Sequence, residues 1–374
     1  MSPRTSLSPF PLVPVWDVWV RLFHWALVLC IGGAALTGFL ADARWAAVHL
    51  ACGLGAAALV IARIIWGLYG TAHARFADFL PRPAALVAHL RGTDGRHRGH
   101  NPLGALMVLA MFAAILALAF SGLAILGGWL RLGPLAADLG TEAGRAARAA
   151  HEAVALVVLA MIALHVGGVV VESRRESENL TRAMLTGLKQ VRPGDASPAE
   201  ATPKGRRALV VLAGLAATIA LAVAALSARP APNLPVAEID PLVAAECGAC
   251  HMAYHPSLLP ARSWKQLMAG LDDHFGENAW VDAGDAAEIE AWLTAHSAET
   301  VDTAPARIFA RTDPEAPATL TEAPAWKRLH GDLPDALFDR APIFSRANCA
   351  ACHADAATGR FSPFAISIPK ETAE

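Results

Sequence analysis

The segments CGACH (Cys247–His251) and CAACH (Cys349–His353) repeat one arrangement, two thiols three positions apart with an imidazole directly after the second. Paired thiols at this spacing can add to the two vinyl groups of a haem, and the adjacent histidine then binds the iron from the proximal side. A bare CxxC would serve zinc or a redox disulfide. Here both motifs end in histidine, and no other cysteine occurs among residues 229–374. Two covalent c-type haems are therefore expected, held by Cys247, Cys250, Cys349 and Cys352, with His251 and His353 as proximal ligands. For the distal positions the same region offers His255, His274, His296 and His330. His274 follows His251 by 23 residues and His330 precedes His353 by 23, a symmetry that favours these two. His255, four residues after His251, is the rival. The region's methionines are Met252 and Met268, so a Met-ligated, high-potential site is not favoured.

The second constellation is HEAVALVVLAMIALH, His151 to His165, two imidazoles in an otherwise apolar run. Fourteen helical residues rise about 21 Å and return to within roughly 40° of the starting direction. His151 and His165 thus share one helix face near opposite sides of a bilayer core. Two other apolar segments supply partners at matching depths: His24 for His165, and His49 for His151. Two pairs at two depths suit two stacked b-type haems, each iron taking one neutral imidazole from either side. Intramembrane ionisable groups are rare and functional more often than not. Gly32, Gly33, Gly53, Gly55, Gly167 and Gly168 would let helices and a flat macrocycle approach closely. Arg63 could neutralise a haem propionate, though snorkelling accounts for it equally well. Cys30 and Cys52 read as small packing residues.

The elements that must position these groups are apolar helices. Hydrophobic residues make up 55% of the 374-residue chain. Four segments, about 18–40, 45–69, 102–129 and 151–171, reach the roughly 20 residues that a spanning helix needs, and a fifth covers 208–227. The first run is too long for a cleavable signal and holds Arg21 and His24. Loops 70–101 and 172–207 carry thirteen Lys and Arg (Arg75, Arg82, Arg91, Arg96, Arg98; Arg174, Arg175, Arg182, Lys189, Arg192, Lys204, Arg206, Arg207). The alternate connections carry four: Arg44, Arg131, Arg145 and Arg148. Positive charge stays inside. The expected order is a cytoplasmic N-terminus (1–17), a four-helix cytochrome b domain (18–171) and a basic cytoplasmic loop (172–207). A fifth spanning helix (208–228), a Pro-rich extended tether (229–241) and a periplasmic domain (242–374) follow, at a bacterial inner membrane. Residues 1–228 hold 20 basic against 12 acidic groups, net +8, and residues 229–374 hold 11 against 21, net −10. In the latter, SWKQLMAGLDDHF and DAGDAAEIEAWLTAH read as amphipathic helices, the second capped by Asp282 or Asp285. Pro and Thr punctuate residues 300–325, so a long loop is expected there, dividing the domain into two lobes. The fold class expected is all-α: a four-helix transmembrane dihaem bundle, a fifth spanning helix, and a mostly helical two-lobed dihaem domain.

Residues 12–195 resemble the bacterial cytochrome b561 family, which includes the b-type subunits of membrane nickel–iron hydrogenases. The resemblance rests on VWDVWVRLFHWALV around His24, on His49, on the His151/His165 pair and on ENLTRAMLTGLK. It implies a four-helix bundle with two bis-histidine haems, pairing His24 with His165 and His49 with His151. Residues 242–369 resemble the dihaem cytochrome c family through CGACHMAYHPSLLPARSWKQLMAGLDDHFGENA and ANCAACH.

Four haems need eight axial ligands, and His24, His165, His49, His151, His251, His353, His274 and His330 supply them. His73, His89, His97, His100, His255 and His296 are then surplus. Six-coordinate irons leave no position for substrate, so electron transfer is expected rather than bond-making at iron. The leading expectation is a tetrahaem conduit that oxidises quinol from the membrane quinone pool and reduces a soluble periplasmic cytochrome or other haem protein. The acidic domain could steer a basic partner, and no nucleic-acid partner is expected. Three alternatives stand beside it. An anchor for a periplasmic dehydrogenase such as hydrogenase would run electrons inward to quinone. A superoxide oxidase, as some members of the cytochrome b family are, would want a basic outer cavity. A haem-based gas sensor would need one labile distal ligand.

Overall fold

The computed structural model describes residues 11–80, 82–192, 195, 203–310 and 319–370. Among these, five helices are long and apolar enough to cross a membrane: Val18–Phe39, Ala43–Tyr69, Pro102–Trp129, Thr141–Arg175 and Gly205–Ser227. The protein is an all-α membrane protein, and its chain divides into two compact units. The first draws on residues 1–40, 48–122 and 147–223, the second on 41–47, 123–146 and 224–374.

From the N-terminus the elements are β1 (Leu12–Pro14), α1 (Val18–Phe39), α2 (Ala46–Tyr69), α3 (Phe76–Phe79), α4 (Pro83–Leu90), α5 (Pro102–Ala124), α6 (Thr141–Arg175), α7 (Leu180–Thr186), β2 (Leu188–Gln190) and α8 (Gly205–Ser227). Asp17 starts α1 by accepting from Val20 N at 2.8 Å. Its other oxygen accepts from Trp66 Nε1 and Thr71 Oγ1, at 2.9 and 2.6 Å, tying the start of α1 to the end of α2. Along those two helices the small residues do their packing: a Cβ at Gly33 would lie 2.8 Å from Cys52 Sγ, and one at Gly55 3.2 Å from Cys30 Sγ. Each cysteine thus fills the space opposite a glycine of its neighbour. Ala56, Val60, Phe112 and Ile115 form the apolar core between α2 and α5. The antiparallel pair β1–β2 was not legible in the sequence, because three-residue strands are too short to show an alternation.

α6 begins at Thr141, ten residues before its apolar run. TEAGRAARAA is rich in good helix formers but polar, so hydropathy does not register it. Asp302 meets its first turn, accepting from Thr141 N at 3.1 Å and from Thr141 Oγ1. Just before it, α5 runs into a π turn at Ile125–Trp129, and a Cβ on Gly144 would collide with Trp129 N.

The second unit continues with α9 (Pro241–Cys247), α10 (Ala261–Ala269), α11 (Ala283–Ala295), α12 (Ala304–Phe309), α13 (Pro324–His330) and α14 (Ala336–Asp339). Asp282 caps α11 through Gly284 N at 2.9 Å. α10 stops at Ala269, before the DDH of its motif, and a short 3-10 turn at Leu271–Asp273 follows. Two of the unit's hydrophobic cores adjoin the cysteine motifs. Val243, Leu259, Trp264, Ile289 and Leu293 make one, with Cys247 against it; Ala323, Trp326, Leu337, Phe338 and Ile343 make the other, with Cys352 against it. Each core adjoins one CxxCH motif. The loop expected over 300–325 contains α12 and a 3-10 turn at Leu320–Glu322, and its middle, 311–318, lies outside the described residues.

The Pro-rich stretch after α8 is stapled rather than free. Pro232 O accepts from Arg131 Nη2 at 2.7 Å, Asn233 O from Asp302 N at 2.7 Å, and Val236 O from His255 Nε2 at 3.1 Å. Proline removes backbone donors, so carbonyls serve as the attachment points.

Candidate haem sites

His24 lies on α1, His49 on α2, and His151 and His165 on α6. The His49 and His151 rings meet with centroids 6.1 Å apart and planes at 63°. Their tautomers follow from their neighbours. His49 Nδ1 faces Ala34 O at 3.0 Å, and a carbonyl only accepts, so the proton is on Nδ1. His151 Nδ1 lies 3.0 Å from Ser121 Oγ, whose own proton goes to Ala117 O at 2.8 Å; this nitrogen too must donate. Nε2 is then the lone-pair atom on both rings, the form a metal takes. Thr37 Oγ1 repeats the arrangement at His49, 3.2 Å from Nδ1 while donating to Gly33 O at 2.7 Å. The glycine following each hydroxyl makes room: a Cβ at Gly38 would be 3.1 Å from His49 Cε1, and one at Gly122 3.6 Å from His151 Cε1. These supporting groups were missed in the sequence. Their signal is a repeated hydroxyl–glycine dipeptide, Thr37-Gly38 and Ser121-Gly122.

His24 and His165 lie within electrostatic reach of each other, and His24 Nδ1 is buried with no hydrogen-bond partner. A Cβ on Gly53 or Gly168, a turn from His49 and His165, would meet nothing within 4 Å, and the same holds at Gly32 and Gly167. Arg63 is 4% exposed, which excludes snorkelling; its guanidinium stands 5.9 Å from the Phe76 ring centre, and Nη1 has no partner. A buried cation with an orphaned donor suits a carboxylate ligand.

In the second unit the same spacing returns twice. His251 and His274 stack at 6.2 Å and 19°, and His330 and His353 stand at 6.2 Å and 74°. His251 Nδ1 donates to Met252 O at 2.8 Å and His330 Nδ1 to Trp326 O at 3.1 Å, which again leaves Nε2 as the lone-pair atom. A metal at roughly 2 Å from each of two facing ring nitrogens would set ring centroids about 6 Å apart, the distance seen in all three pairs. Burial lowers the pKa of His274, His330 and His353, and His251 beside His274 and His330 beside His353 lower those two further. The imidazoles are thereby kept in the neutral, ligating form. Burial also pushes the Cys349 thiol up to about 11 and raises Cys247. Such thiols suit covalent attachment inside a fold better than a reactive redox pair.

His255 is fully buried and both its nitrogens are engaged. Nδ1 accepts from Ser257 N at 3.2 Å and lies 2.8 Å from Ser257 Oγ, while Nε2–H donates to Val236 O. In this arrangement neither His255 nitrogen keeps a free lone pair. His296 packs on Trp292 and donates from Nδ1 to Trp292 O at 2.8 Å. His100 lies between Trp16 and Phe79, with ring centroids at 4.8 and 4.7 Å.

Residues 15–187 match the family described as prokaryotic cytochrome b561, and residues 243–361 match the family described as dihaem cytochrome c. Among solved structures, the diheme cytochrome c from Rhodobacter sphaeroides is 42% identical over 34% of this chain and 98% of its own, with a TM-score of 0.29. The diheme cytochrome type c from Shewanella baltica is 32% identical over 35% of this chain and 94% of its own, with a TM-score of 0.28. No curated protein matches the chain.

Proposed function

Because this chain belongs to the prokaryotic cytochrome b561 and dihaem cytochrome c families, joined as one membrane haem electron-transfer protein, we propose that it oxidises membrane quinol and reduces a soluble periplasmic acceptor. The observation that carries this reading is where the imidazole pairs fall: one at 6.1 Å on two apolar helices, and one at 6.2 Å at each CxxCH motif. Haem, when bound, would supply a one-electron couple, with a histidine pair available to hold each iron. Two b-type haems are assigned to His24 with His165 and to His49 with His151. Two c-type haems are assigned to Cys247, Cys250, His251 and His274, and to Cys349, Cys352, His353 and His330.

The protein's own groups then hold, orient and neutralise. Ala34 O, Thr37 and Ser121 fix the ring tautomers of His49 and His151. Arg63 offers a buried charge to a propionate. Membership of residues 41–47 and 123–146 in the same compact unit as 224–374 supports one face for those connections and the c-type domain. With thirteen basic residues in the opposite loops, that face is assigned to the periplasm of a bacterial inner membrane.

The test is reduction of the detergent-solubilised, haem-loaded protein by a short-chain quinol, followed separately in the b and c alpha bands. The reading expects the b bands to rise first and the c bands to follow. It is overturned if quinol leaves the b bands oxidised while a reduced periplasmic donor fills c and then b. The chain would then be a quinone-reducing subunit.

A further inference from the structure

His89, Asp94 and His97 form a cluster that none of the haem chemistry uses. His89 Nδ1 lies 2.7 Å from Asp94 Oδ2, and His97 Nε2 lies 2.8 Å from the same oxygen. The three donor atoms all fall within 4.8 Å of one another, and the two rings stand 6.1 Å apart at 70°. We propose that these residues bind one divalent first-row metal ion of the zinc class, in the connection between α2 and α5.

The segment is built to hold this geometry before any metal arrives. His89 sits in the last turn of α4, where Gly92, at φ +67°, reverses the chain; Gly92 N donates to His89 O at 3.0 Å and Thr93 N to Ala88 O at 3.0 Å. That reversal returns Asp94 to the side of His89. The next residues are anchored elsewhere: Arg96 is held by Glu178 at 2.5 Å, Asp195 at 2.7 Å and Glu176 at 3.3 Å. These carboxylates also neutralise Arg96, a cation that would otherwise repel a metal. The side chains are sheltered, at 11% exposure for His89, 17% for Asp94 and 35% for His97.

Two imidazoles and one carboxylate are a donor set for zinc or another intermediate divalent ion, and they make a poor site for the hard ions calcium and magnesium. A tetrahedral ion at roughly 2.0 Å from each donor sets them about 3.3 Å apart. Small side-chain rotations would widen the two present contacts, each near 2.7 Å, by that half ångström or so. Three protein ligands leave a fourth position for water or an added ligand. Without metal, both histidines donate to one carboxylate oxygen. With it, the same atoms present lone pairs, each ring's proton moving to its other nitrogen.

The probe is zinc(II) at low micromolar concentration, added to the untagged, haem-loaded full chain and followed by gel filtration and metal analysis against iron. Wild type is expected to retain about one zinc per chain, and Asp94→Asn and His97→Gln roughly tenfold less or lower. X-ray absorption at the zinc edge should show nitrogen and oxygen neighbours with imidazole scattering. Unchanged haem bands in both variants would establish that they fold. Equal zinc in wild type and both variants, or none in wild type, overturns the site.

Discussion

His255→Leu separates a structural histidine from a ligating one. The substitution keeps the volume close and removes every polar atom of the ring. Two backbone groups then lose their ring partners: the buried Ser257 N–H, which donates to Nδ1 at 3.2 Å, and the half-buried Val236 O, which accepts from Nε2 at 3.1 Å. Each stranded group costs about 1–3 kcal/mol, and Gly359 stands so close that a Cβ there would lie 2.6 Å from Nδ1, which leaves little room for repacking. The total is about 2–6 kcal/mol. With a guanidinium slope of about 4 kcal/mol per molar for a region of this size, the midpoint should fall by roughly 0.5–1.5 M. The assay is guanidinium unfolding in detergent, read in the c alpha band, with electron paramagnetic resonance of the native sample beside it. Both c haems should stay low-spin in His255→Leu, whereas His274→Ala and His330→Ala should each render one c haem high-spin and able to bind carbon monoxide. A high-spin c haem in His255→Leu with an unshifted midpoint would refute the reasoning.

Three further outcomes are expected. Ser121→Ala removes one acceptor of His151 Nδ1–H, so the imidazole becomes a weaker base and the potential of its haem should rise by tens of millivolts; redox titration of the b bands checks this, and a fall would contradict it. Burial raises the Asp302 carboxyl, but the bonds it accepts from Thr141 and Arg307, together with the charge of Arg131, outweigh this and hold it below the usual carboxylate range. Its contribution is therefore full above the unfolded value near 4 and lost as pH falls through the lower folded value, so Asp302→Asn should melt earlier than wild type at neutral pH, with the gap closing in acid. Gly359→Ala places a Cβ at φ +67° and against His255 and Ser257; a loss of about 1–3 kcal/mol should appear as an earlier thermal transition of the c bands, with haem content unchanged.

The two candidate haem-attachment motifs were legible in the sequence because they are local. Cys247 to His251 and Cys349 to His353 are each five consecutive residues, and attachment needs only that spacing. Hydropathy and charge likewise marked five spanning helices, since length and composition alone decide whether a segment can leave water. The helical periodicity of HEAVALVVLAMIALH placed His151 and His165 on one face. Local signals fail where polar helix continues an apolar one, as at Thr141–Ala150, and where a strand is three residues long.

Which imidazole serves which partner is a different kind of question. His255 and His274 are equivalent in type; symmetry favoured His274, and chain proximity kept His255 as its rival. The tertiary structure separates them by hydrogen bonding: Ser257 and Val236 consume both nitrogens of one, while the other stacks on His251. The hydroxyls that orient the membrane histidines, the stapling of the Pro-rich stretch and the His89–Asp94–His97 cluster are decided in the same way. Sequence determined what each segment is able to bind and where it is able to lie. Only packing could assign each lone pair, because a nitrogen's availability depends on every donor and acceptor that folding brings within about 3 Å of it.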